Sequence, residues 1–183
     1  MIQPEQTAIL IIDMINDFQF GHGSILAERS IHIVKNINTL KKFARAEQMP
    51  VIYINDHYGL WQADFDRIIS HCLNDLSRPI IESIIPDDDD YFLIKPKHSA
   101  FYGTALHTLL QQLKIKSLIL TGIAGNICVL FTANDAYMRE YELVIPKDCI
   151  ASNNLHDNEY ALQMMKEVLK ADICMTDDLI DSF

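Results

Sequence analysis

Apolar residues along the chain fall into two alternating kinds of run. The continuous blocks Ala8–Ile12, Val51–Ile54 and Tyr91–Ile94, the apolar centre of Lys116–Thr121, and the blocks Leu143–Pro146 and Ala171–Met175 predict buried strands, because each stops in polar or turn-forming sequence. Between them, apolar positions recur at helical spacing. Ile33, Ile37, Leu40 and Ala44 supply one face of a helix over about residues 26–47, which Pro50 separates from the second strand. Phe65, Ile68, Ile69, Cys72 and Leu73 outline a shorter helix that stops before Pro79. Thr104 can cap a helix through about Leu113, another runs from near Asn126 to about Glu140, and Asn158–Lys170 is the last. Near-continuous apolar strands alternating with helices predict an α/β fold with a mostly parallel sheet covered on both faces. Right-handed crossovers make that sheet doubly wound, with active groups gathered at the carboxyl ends of its strands.

Composition narrows the function. The 183 residues fit a single domain over 1–183, with no internal repeat or linker composition. Fifteen basic against twenty-five acidic residues leave a net charge of −10, which disfavours nucleic acid as a partner. The acidic runs Asp87–Asp90 and Asp172–Asp181 read as solvated turns and an acidic end rather than metal sites. No apolar run is long enough to span a membrane, and no leader-like pattern opens the chain. Cys72, Cys128, Cys149 and Cys174 are dispersed without a CxxC pair, which suits reduced thiols and a cytoplasmic location.

Three strand ends carry chemistry. Asp13 directly follows the first strand, where it can act as a base or simply cap the next turn; Asn16 and Asp17 share that loop. Lys95 and Lys97 follow the third strand, and Pro96 makes Lys95 the more constrained of the two. Cys128 ends the turn Thr121–Cys128 at the start of a helix. Unpaired amides there favour thiolate and can stabilise an oxyanion, although a small buried hydrophobe explains the residue equally well. His57 and His98 keep a Cys-His-Asp arrangement open, while His22 and His71 are weaker candidates. Asp56 and His57, with His71 or Cys72, have metal-ligand chemistry but no fixed tetrahedral spacing. No metalloprotease, dinucleotide or P-loop motif is present.

Residues Ile11–Phe18, Lys95–Thr104 and Thr121–Cys128, in that order and those strand contexts, resemble the isochorismatase-like cysteine hydrolase family, which includes nicotinamidase-like amidases. The resemblance implies a Rossmann-like fold and assigns Asp13, Lys95 and Cys128 as the catalytic group. Lys95, not Lys97, holds the family position because it stands four residues before Ser99-Ala100-Phe101. It further implies a cis peptide at Ile123-Ala124 and an oxyanion hole made by the amides of Ala124 and Cys128. Two departures matter. Asn55-Asp56-His57-Tyr58 lacks the Asp-x-His metal spacing of nicotinamidase-like members, and isochorismatases that cleave a vinyl ether replace the nucleophilic cysteine that is kept here as Cys128. The expectation is a cysteine-dependent hydrolase of a small amide or related C–N compound, acting through an acyl-enzyme without metal or cofactor. Asp56, His57, Trp61 and Phe101 are its expected pocket residues. A hydrolase of another bond class, or a non-catalytic ligand-binding or interaction protein on the same fold, are the alternatives. The family and several aromatic loop residues suggest a homo-oligomer, with a monomer as the other reading.

Overall fold

The computed structural model describes residues 3–183. Its strands are β1 (Thr7–Ile12), β2 (Val51–Asp56), β3 (Tyr91–Lys95), β4 (Ser117–Ile123), β5 (Glu142–Pro146), β6 (Ile150–Ala151) and β7 (Asp172–Cys174). All pair in parallel in the order β3-β2-β1-β4-β5-β7, and β6 pairs with the carboxyl end of β4. Every residue of β1 and β4 is buried, as expected for central strands of a sheet covered on both sides.

Alternation along β1 divides the interior in two. Ile9 and Ile11 face a core shared with α1 (Gly23–Ala46), α2 (Phe65–Cys72), α3 (Arg78–Ile81) and α7 (Thr176–Asp181). Ala8, Leu10 and Ile12 face the other core, with α4 (Leu106–Gln112), α5 (Leu130–Tyr137) and α6 (Leu155–Glu167). The fold is therefore α/β and doubly wound. Strand order reverses between β1 and β4, so the crevice at their carboxyl ends is the topological switch point.

Several details differ from the sequence reading. β6 is a seventh strand, and its two residues are too few to show a period. α6 begins at Leu155 rather than Asn158, because the Asn154 side chain accepts from the amides of His156 and Asp157. The fifth helix opens with a π-helical turn, Gly125–Val129, before α5 proper. The acidic runs are not simply solvated. Lys41, buried on α1, places Nζ 3.1 Å from Asp90 Oδ2 and 2.7 Å from the Tyr53 hydroxyl, and the Asp90 side chain is buried although its residue is only half-buried. Asp87 pairs with both Lys41 and Arg45, so this run fastens the approach to β3 onto α1. The acidic end folds as β7 and α7, with Leu179 buried in the first core.

Candidate active site

Asp13 follows β1 with φ 53°, its amide bonded to Ile54 O of β2 at 3.0 Å. That left-handed residue turns the chain as it leaves the sheet. On the other side of the switch, Gly122 pairs with Ile12 and has φ 109°. A Cβ on Gly122 would lie 2.1 Å from Ile12 O, so only glycine permits this approach of β1 and β4. The Ile123–Ala124 peptide is cis, and the π-helical turn then carries Cys128 back over the strand ends. This turn is held from behind: the Asn126 amide donates to Ser152 Oγ at 3.1 Å, and Ser152 Oγ donates to Asn158 Oδ1 at 2.6 Å.

Lys95 ends β3, two strands away from β1. Two strand spacings are roughly 10 Å, so a long side chain is needed to cross β2 and reach Asp13. Lys95 does so. Its ammonium lies 2.7 Å from Asp13 Oδ2 and donates to Cys128 Sγ at 3.5 Å. The other Asp13 oxygen accepts the Asp56 amide at 3.0 Å. Lys95 and Asp13 are buried, whereas Cys128 is half-buried and borders a cleft of about 350 Å³.

Electrostatics set the resting protonation. Burial pushes the Asp13 carboxyl above its ordinary value, and Lys95 and a hydrogen bond with Cys128 recover only part of that shift. Burial opposes charge on Lys95 too, but Asp13 and Cys128 outweigh it, so the ammonium is held charged. For Cys128, burial and then the Asp13 charge push the thiol up, and Lys95 offsets them incompletely. Burial and Asp13 thus disfavour the thiolate that the helix start predicts for Cys128.

The cleft is lined by Asp13, Cys128, Ile123 and Ala124 together with Asn16, Phe20, His22, Leu26, His98, Ile127 and Asn153. Phe20, Leu26, Ile127 and Asn153 were missed from sequence, and His22 was ranked low. The four residues expected to form the pocket do not line it. Phe101 is buried against Tyr141 and the Arg139 guanidinium. Trp61 is two-thirds exposed and stacks on His57 at 4.0 Å. His57 Nδ1 accepts from the Gly59 amide, and the Asp56 carboxylate caps the Tyr58 amide. Among the described residues, no three His, Cys, Asp or Glu side chains gather as metal ligands, so Asp56, His57, His71 and Cys72 do not assemble the donor set of a nicotinamidase-type metal.

A doubly wound parallel sheet with a half-buried cysteine at its switch point, opposite an acid and a lysine, places the chain among Rossmann-like α/β proteins with a candidate cysteine site. Residues 7–178 match the isochorismatase domain model, and the chain belongs to that family. It is 61% identical over 174 residues to the uncharacterized isochorismatase family protein YaaI of Bacillus subtilis (strain 168), covering 95% of this chain and 96% of that one. The fold is similar to that of N-carbamoylsarcosine amidase from Thermoplasma acidophilum, with 26% identity, TM-score 0.74, and 94% and 97% of the two chains covered. It is also similar to a nicotinamidase from Bacillus subtilis, with 27% identity, TM-score 0.72, and 92% and 99% coverage.

Proposed function

We propose that the protein is a cysteine-dependent amidohydrolase of small molecules that works through an acyl-enzyme on Cys128. The observation that carries this reading is the Lys95 ammonium, which touches both the Asp13 carboxylate and the Cys128 sulfur at the wall of a cleft. In this mechanism Asp13, a stronger base for being buried, accepts the thiol proton as sulfur adds to the substrate carbonyl. Lys95 holds Asp13 in place and balances the negative charge that moves from carboxylate to sulfur. The amides of Ala124 and Cys128 receive the oxyanion. Asp13 then returns its proton to the departing nitrogen, which leaves a thioester. The amidase names of both solved neighbours favour an amide over another bond class.

The test is a panel of primary amides, cyclic imides, ureido acids and aryl amides, read by ammonia release and intact-protein mass. The expected result is turnover of at least one member, an acyl group trapped on Cys128, and activity that survives chelation. Turnover by Cys128→Ala at the wild-type rate excludes cysteine catalysis. Zinc-dependent recovery after chelation overturns the metal-free reading.

A further inference from the structure

Asp13 leaves β1 with its carboxylate beside Lys95, and its own backbone does not secure that course. Its φ of 53° is left-handed, a conformation that a residue other than glycine keeps only when its surroundings enforce it. The Asp13 amide, bonded to Ile54 O, fixes the side toward β1. On the far side, residues 14–19 make no backbone–backbone hydrogen bond among the described residues.

Side chains hold that far side instead, and they converge on one atom. The Ile15 carbonyl accepts from Asn55 Nδ2 of β2, from the Tyr58 hydroxyl at 3.2 Å, and from Cys72 Sγ of α2 at 3.8 Å. Asn55 and Tyr58 flank Asp56, whose amide grips Asp13 Oδ1, so one short stretch holds the loop at residues 13 and 15 together. Burial pushes the Tyr58 hydroxyl above its ordinary value and the Cys72 thiol up to about 12, so both stay donors at neutral pH. Asn55 is wholly buried, and its Oδ1 has no hydrogen-bond partner among the described residues. A buried acceptor left so costs free energy that an apolar side chain would not incur. What asparagine offers here is the donor to Ile15.

We infer that Asn55 and Tyr58 are positioning residues: their joint hold on the Ile15 carbonyl fixes the left-handed turn at Asp13, and through it the place of the carboxylate beside Cys128. Neither touches the reacting atoms. Freed of that hold, the loop relaxes and takes the carboxylate away from the sulfur. The catalytic consequence rests on the cysteine-hydrolase reading.

Two measurements separate the clamp from that reading. Iodoacetamide alkylation of Cys128 needs no substrate and reports the Asp13 charge near the sulfur. Steady hydrolysis of p-nitrophenyl acetate reports the chemistry. Both are read in Tyr58→Phe, Asn55→Ala, Asp13→Asn and the two doubles with Asp13→Asn, each checked for folding by near-UV circular dichroism. With Asp13 in place, each clamp variant should alkylate about threefold faster than wild type, short of Asp13→Asn. Each should hydrolyse the ester about ten- to a hundredfold more slowly, as for a misplacement of about 1 Å. In the Asp13→Asn background the same substitutions should change neither rate, because their effect runs through the missing carboxylate. A residue that only supports the fold shifts both backgrounds alike, so additive effects overturn the inference, as do wild-type alkylation rates in both single variants. Tyr58→Phe keeps its ring and decides alone if Asn55→Ala does not fold. Ester hydrolysis at the wild-type rate by Cys128→Ala overturns the cysteine-hydrolase reading and the catalytic consequence with it, while the alkylation rates still judge the clamp.

Discussion

Replacing Asp13 by asparagine should move two properties of Cys128 in opposite directions. The carboxylate and the sulfur both contact the Lys95 ammonium, at 2.7 and 3.5 Å, so they lie no more than about 6 Å apart. Removing a unit negative charge at that distance, with an effective dielectric of about 20, is worth roughly 3 kcal/mol to the thiolate. That corresponds to about a hundredfold more thiolate below its pKa. Lys95 stays as an unopposed counter-ion. A less basic thiolate is also less nucleophilic, by about tenfold for such a change. Alkylation of Cys128 by iodoacetamide between pH 6 and 8 should thus run about tenfold faster in Asp13→Asn than in wild type. Amide hydrolysis, stripped of its base, should fall by about 10²–10⁴. Thiol labelling followed by peptide mass spectrometry isolates Cys128 from Cys72 and Cys149, which are buried. Labelling slower than or equal to wild type refutes the assignment of Asp13 as the charge that raises the thiol, and unchanged hydrolysis refutes its role as base.

The raised Asp13 pKa makes the base form appear only above an ordinary carboxylate value, so the acid limb of kcat/KM should lie higher than 3.8; a profile flat to that pH excludes Asp13 as the titrating base. Gly122→Ala meets both a positive φ and the Ile12 carbonyl, and urea denaturation should show a loss of about 2–5 kcal/mol. Asp90→Asn leaves buried Lys41 with the more exposed Asp87, and should cost about 3 kcal/mol in the same assay with the rate per folded molecule intact. Phe131, Tyr160, Met164 and Val168 are each at least half exposed near α5 and α6, and light scattering over a tenfold concentration range should show a homo-oligomer; a constant mass near 21.0 kDa rejects stable assembly.

Asp13, Lys95 and Cys128 stood out in the sequence because each follows an apolar block that ends abruptly. Parallel strands put such endings at one edge, and the β1/β4 reversal brings them together. The cleft walls were not legible in that way. Phe20, His22 and Leu26 come from the loop before α1 and its first turn, and Asn153 follows a two-residue strand; no local period marks any of them. The misplaced pocket has a physical cause too. Trp61 and His57 satisfy each other by stacking within the loop after β2, and Phe101 fills space between Tyr141 and Arg139. The Lys41–Asp90 pair joins positions 49 apart in the chain, and spacing reveals such pairing less readily than a run of aspartates suggests solvent.

Why the proposed base is a carboxylate held by lysine follows from the sheet. A cation on β3 must cross the whole width of β2, and Lys95 spends its length doing so, which leaves its ammonium with two neighbours and little freedom. Such a charge cannot follow the reaction by moving. In the proposed mechanism it serves by lying between two sites of which one or the other is negative, so transfer of the proton from sulfur to Asp13 changes its surroundings little. Burial and the Asp13 charge both push the Cys128 thiol above its ordinary value, which disfavours the thiolate before an electrophile arrives. A protonated thiol reacts slowly with oxidants, whose attack follows thiolate character. In the proposed mechanism, burial of the acid thus supplies a stronger base for the reaction and a quieter nucleophile at rest, both from one placement at the end of β1.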